Sequence, residues 1–206
     1  MSKKIERLTL FLIPIGVAVN LVGFQLFAIM LKLPLSMDSI GTIVVGTLCG
    51  PWAGAIVGFL SNLVNCITDP TAIFFAPLNI VFGVIAGFMG KKGAFDSFAK
   101  ALVTSPFYSV IGGLGGALTT YLAFGLDFDA GWLSVVLGIP LYEAGMPKLL
   151  AIAVVRLISD VPDKIIACMF SFLIIMALPV RYLVKLPNGE RFIKKRKSEQ
   201  ANSGAA

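Results

Sequence analysis

The sequence predicts an all-α integral membrane protein: a six-transmembrane-helix bundle with a broken or re-entrant element before the last helix. Three observations carry this. Hydrophobic residues make up 57% of the 206 and charged residues only 14%, where a soluble domain carries about 25% charged. So few charges cannot cover a water-facing surface. Second, the apolar residues gather into successive runs, the longest of them matching the ~20 residues that a spanning helix needs. Third, the basic residues flank those runs. Lys3, Lys4 and Arg7 precede the first, and Lys91, Lys92 and Lys100 stand between two later ones. Arg181, Lys185, Arg191, Lys194, Lys195, Arg196 and Lys197 follow the last. Flanking Lys and Arg are a topology signal.

The same composition excludes several functions. The net charge of +6 does not point to nucleic acid, because basic and aromatic residues are not interleaved. Histidine is absent, which removes the usual general base and the commonest zinc ligand. Cys49, Cys66 and Cys168 lie far apart in apolar sequence and read as small buried hydrophobes, with no metal spacing among them. No nucleophile elbow, phosphate loop or carboxylate pair with a plausible base is present. The chain is expected to be no enzyme and to hold no cofactor.

The elements follow in order. A first span covers residues 8–31, with Pro14 inside. It is longer than a secretory h-region and lacks a small-residue cleavage site, so it is expected to be retained. Pro34 and Ser36 mark a break. A short second span covers 38–49 and ends at Gly50-Pro51, a pair that closes one helix and opens the next. The third covers 52–67, before the turn signal Asp69-Pro70. The fourth covers 72–89, and the fifth 98–124 with Pro106 inside. Asp127, Asp129 and Gly131 form a polar loop. The stretch 132–159 is unusual, and a last span covers 162–184. Residues 1–187 form the transmembrane domain. Residues 188–206 form a basic cytoplasmic tail, expected to be disordered beyond a first short helical piece.

Charge parity constrains the unusual stretch. Basic N- and C-terminal segments both belong inside, and Lys91 and Lys92 fall inside after the fourth span. A full crossing at 132–159 would then leave the basic tail outside. The stretch also holds Pro140, Glu143, Pro147, Lys148 and Arg156, which are costly against lipid. It is therefore expected to dip in and return, sheltered by protein; a seventh crossing is the alternative.

Polar residues kept within apolar spans face the bundle interior or a cavity. The candidates for binding a small solute are Asp38, Asn62, Asn65, Asp69, Asn79, Glu143, Lys148, Asp163 and Lys164. By parity most of them gather toward the outer side. Asp160 and Asp163 also suit the capping of the last helix N-terminus. Glycines recur at four-residue spacing, as in Gly54 and Gly58 or Gly83 and Gly87, which lets helices approach closely. Gly16, Asn20 and Gly23 share one face of the first helix, either as internal packing or as a smooth surface for a partner helix.

The segment Leu35-Ser36-Met37-Asp38-Ser39-Ile40-Gly41-Thr42 precedes Gly50-Pro51-Trp52-Ala53-Gly54-Ala55-Ile56-Val57-Gly58, then Asn62-Leu63-Val64. Together with Pro77-Leu78-Asn79 through Gly87 and with Pro162-Asp163-Lys164-Ile165, it resembles the substrate-binding S components of energy-coupling factor (ECF) transporters. The resemblance is best over residues 35–92. It implies a six-helix bundle with an outward pocket near loops one, three and five, taking up a vitamin-like or nucleobase-like solute. It implies a transmembrane coupling protein and a pair of ABC-type ATPases as partners, the S component itself binding no ATP. It also implies that small residues on the first helix meet the coupling protein; Gly16 and Asn20 are the nearest match. The rival reading is a stand-alone ion-coupled secondary transporter or small channel, in which Asp69 and Glu143 would bind a proton or sodium.

Overall fold

A computed structural model describes residues 7–123 and 133–203, with side chains to Arg196. Lys3, Lys4, Phe124, Asp127, Asp129, Gly131 and Trp132 lie outside the described residues. Among those described, every regular element is helical.

Helix α1 (Arg7–Phe24) continues as a π-helical stretch, Gln25–Met30. Helices α2 (Ile40–Cys49) and α3 (Pro51–Asn65) are separated by Gly50 alone, whose φ of 101° suits glycine. A 3-10 segment, Pro70–Phe75, leads into α4 (Ala76–Lys92), and α5 covers Phe98–Ala123. A π-helical turn, Ser134–Gly138, runs into the short α6 (Ile139–Glu143). Then come α7 (Lys148–Ala177), the four-residue α8 (Val180–Leu183) and α9 (Gly189–Ser203). Three stretches are long and apolar enough to cross a membrane: Arg7–Met30, Pro70–Lys92 and Phe98–Ala123.

The short α2 is the centre of the bundle. Every residue from Ile40 to Leu48 is buried, so its length need not match a bilayer. It is enclosed by α1, α3, α4 and α7. Small residues make this possible: a Cβ on Gly54 would lie 2.7 Å from the Gly46 Cα and would also strike the Gly83 carbonyl of α4. A larger residue there would force the backbones apart.

Two expectations for the C-terminal third are corrected. The break expected near residue 160 does not occur. Helix α7 runs unbroken through Pro162 for 30 residues, about 45 Å at ~1.5 Å per residue. An interior proline costs ~3 kcal/mol, and antiparallel packing along the whole of α5 outweighs it. Phe98 meets Phe172 at 6.1 Å between ring centres, and Arg156 donates to Thr120 Oγ1 at 2.7 Å. The broken element is therefore only the part from Ser134 to Glu143. It turns at Gly145 (φ 93°) into the same helix that covers most of the expected last span, 162–184. Because α7 starts at Lys148, neither Asp160 nor Asp163 caps an N-terminus.

The second correction concerns the tail. Helix α9 docks against the bundle, with Phe192 fully buried. Asn188 caps α2 by donating to the carbonyls of Leu48 (3.0 Å) and Thr47 (2.8 Å). Arg196 donates to the carbonyls of Ile175, Met176 and Leu178, which α7 leaves unpaired at its end. Arg191 forks onto Asp96 at 2.7–3.0 Å.

Candidate functional site

A cavity of about 620 Å³ opens at one end of the bundle, a size that holds a vitamin-sized molecule. Its walls come from the α1–α2 connection (Lys32 to Asp38), the α3–α4 connection (Asp69 to Phe75), α5 (Gly112, Gly116) and α7 (Arg156, Asp160, Lys164), with Ser134 at the side. Loops one and three and the start of the 134–143 element thus meet at the same end. The basic residues around α9 lie at the other: Arg191 donates to the Lys91 and Lys92 carbonyls, and Asp96 also pairs with Lys100 at 3.7 Å.

An amide relay lines the wall made by α3 and α4. Asn62 Nδ2 donates to the Ala72 carbonyl at 2.7 Å, and Asn79 Nδ2 donates to Asn62 Oδ1 at 2.7 Å. The Ala72 carbonyl can only accept, so it fixes the orientation of Asn62, and Asn62 fixes that of Asn79. Asn79 Nδ2 also reaches Asp38 Oδ2 at 3.4 Å. Asn62, Asn65 and Asn79 are all buried, and the Oδ1 atoms of Asn65 and Asn79 have no hydrogen-bond partner. Asp69 Oδ1 accepts from Thr71 N (3.0 Å) and Thr71 Oγ1 (2.6 Å), which starts the 3-10 segment at the rim.

The opposite wall belongs to α7. Arg156, Asp160, Asp163 and Lys164 fall at i, i+4, i+7 and i+8, one helical face, and that face turns inward. Lys164 is almost fully buried, paired with Asp163 at 2.5 Å, and its ammonium lies 4.9 Å from the Phe82 ring centre. Asp163 does not line the cavity. It stands behind Lys164 and accepts from the Met37 backbone N–H at 2.8 Å. That bond pins the first loop where Met37, buried and with φ of 50°, enters the left-handed region. Asp160 sits against α5 at Gly112, where a Cβ would overlap its carboxylate.

Of the residues singled out from sequence, the fold brings Asp38, Asn62, Asn65, Asp69, Asn79 and Lys164 to the cavity. It does not bring Glu143 or Lys148 there. Both lie at the tip of the hairpin before α7, where Glu143 is exposed and Lys148 covers the Tyr142 ring. Sequence reasoning missed Arg156, the aromatic walls Phe75 and Phe82, and Gly112, and it assigned Asp160 to a cap. The charge stripe across Pro162 was the available signal for Arg156 and Asp160.

The face formed by Gly16, Asn20 and Gly23 is corrected as a docking surface. All three are buried inside the chain's own bundle. Gly16 packs on Gly41 and Val45, and Gly23 on the Met37 carbonyl. Asn20 accepts from Gly41 N at 2.6 Å and donates to Thr42 Oγ1 (2.8 Å) and Ser61 Oγ (2.9 Å). A polar side chain in apolar surroundings is satisfied here by three helices of one chain, so this face joins α1 to α2 and α3.

Among known proteins, the family profile described as "ECF transporter, substrate-specific component" matches residues 8–184. No curated protein and no solved structure matches.

Proposed function

Because the chain belongs to the family of ECF transporter substrate-specific components, we propose that it captures a small vitamin-like or nucleobase-like solute in the cavity between α3, α4, α5 and α7. The observation that carries this reading is the cavity itself. It holds about 620 Å³, is walled by buried amides, carboxylates and phenyl rings, and lies at the end of the bundle away from the basic α9. In this reading the chain crosses the cell membrane six times, by α1 to α5 and α7, with both termini cytoplasmic. The length of Arg7–Met30, Pro70–Lys92 and Phe98–Ala123 supports it, as does the clustering of Lys and Arg at one end. The cavity then opens outward.

The partners are a transmembrane coupling protein and ABC-type ATPases, which supply the energy for import. The whole bundle topples within the bilayer to release solute inside. A continuous apolar exterior suits that motion, with Phe11, Val22, Trp52, Phe88, Val103 and Phe170 all exposed on the outside. Family membership also argues against a catalytic role. The test is reconstitution in proteoliposomes. The isolated chain is expected to bind solute without accumulating it, and accumulation is expected only with the coupling protein, the ATPases and ATP. Uptake by the chain alone under a proton or sodium gradient would favour the secondary-transporter reading instead.

A further inference from the structure

Resting on the reading of the cavity as the solute site, we propose that the solute is a compact organic cation bearing N–H donors (a protonated amine, amidinium or aminoheterocycle) held between Asp38 and Asp160. The polar groups of the cavity divide sharply into those already engaged and those left over. Asn62 has spent its amide on Ala72 and its carbonyl on Asn79. The Asn79 amide nitrogen is committed to Asn62 and Asp38. The Lys164 ammonium is held by Asp163, faces Ser39 Oγ at 3.4 Å and covers Phe82. Arg156 donates to Thr120 and lies over the Phe75 ring at 5.2 Å. Asp69 closes its own turn.

Among the cavity's buried groups, the atoms left without a partner are acceptors. Asn79 is 3% exposed and Asn65 1%, and the Oδ1 of each lacks a partner. Their neighbours in the cavity wall, Asp38 and Asp160, make no salt bridge with any described residue. Lys164, and for Asp160 also Arg156, attracts these carboxylates from beyond ion-pair distance, and a cation bound in direct contact adds to that attraction. An anionic solute would face these carboxylates, and Lys32, which also lines the cavity, is an exposed cation at its mouth. A bare metal ion does not fit: among the described residues no group of three or more Cys, Asp or Glu donors converges. The space and the phenyl walls call instead for a planar or compact organic body attached to the positive group.

Three probes of nearly equal shape separate the charge classes: benzamidinium, benzamide and benzoate. Each is added to the full chain in lipid nanodiscs, with thermal unfolding and equilibrium affinity as readouts. Benzamidinium is expected to raise the unfolding temperature and to bind about tenfold more tightly than benzamide (about 1.4 kcal/mol), and benzoate to give no shift. D38N and D160N are each expected to erase the preference, and E190Q, at the far end of the molecule, to keep it. Should either variant fail to fold, the wild-type series decides alone. Stabilisation by benzamide or benzoate equal to that by benzamidinium, and removed by N62A, overturns the cation while keeping the cavity as the site. No response to any of the three overturns both.

Discussion

Gly112 and Asp163 do different work at the same wall, and substitution separates them. Gly112 leaves room for the Asp160 carboxylate, which occupies the space where a Cβ would be. In G112A the carboxylate must shift. Overpacking of a tight site costs about 1–3 kcal/mol, so affinity for benzamidinium is expected to fall about tenfold or more in a nanodisc titration. Asp163 never reaches the cavity; it neutralises Lys164 and pins the Met37 backbone. D163A strands a buried ammonium, a loss of about 3–5 kcal/mol, and is expected to lower the unfolding temperature even without solute. Unchanged stability in D163A would mean that Lys164 finds another partner. Lys164 on this wall, and Asn62, Asn65 and Asn79 on the wall opposite, were legible in sequence because each sits in apolar surroundings where only a cavity or an interior partner would keep it, whereas Arg156 was missed and Asp160 was read as a cap. Gly112 was not: one glycine among Gly112, Gly113, Gly115 and Gly116 gives no sign of which neighbour needs the space.

Helix α9 illustrates how a segment that reads as a solvated tail acquires a place. Its charges suggested a disordered extension, yet two of its arginines point inward. Arg196 satisfies three carbonyls at the end of α7, and Arg191 clasps Asp96. Arginine suits both tasks because its planar fork donates in several directions at once. The hydrogen bonds that Arg191 donates to the Asp96 carboxylate hold the guanidinium pKa above its ordinary value. A raised basic group contributes stability that is lost only as pH rises through its folded value. Rising pH within the ordinary range therefore leaves Arg191 charged. The double variant R191A/R196A is expected to free α9, seen as rapid proteolytic nicking after residue 188 while the bundle stays intact. Equal resistance to protease in the variant would show that Phe192 and Asn188 hold the helix unaided. The same physics hid α7 from sequence. A proline and four charges within nine residues imitate a break, and only the depth of the α5 packing makes one continuous helix the better arrangement.

Across the whole molecule, charge is sorted by end. Lys91, Lys92, Lys100, Arg181, Lys185, Arg191, Lys194, Lys195 and Arg196 surround the docked α9 and the connections next to it. The cavity end carries Lys32, Lys148 and Arg156 amid Asp38, Asp69, Glu143 and Asp160. In the proposed topology the apolar sides between the two ends face lipid. The flanking of the apolar runs by Lys and Arg was legible in sequence, and in the proposed topology it marks the inner end, because basic clusters resist translocation. An outward cavity and an inward α9 follow as one claim, and labelling can break it. Glu143 and Lys185 are both exposed, and α7 separates them. In a chain with Cys49, Cys66 and Cys168 replaced by alanine, E143C is expected to react with a membrane-impermeant maleimide on intact cells. K185C is expected to react only after the cells are opened. The reverse pattern would turn the cavity to the cytoplasm and remove capture from outside. Reaction of both on intact cells would mean that α7 does not cross, and the even number of crossings that puts both termini inside would fail with it.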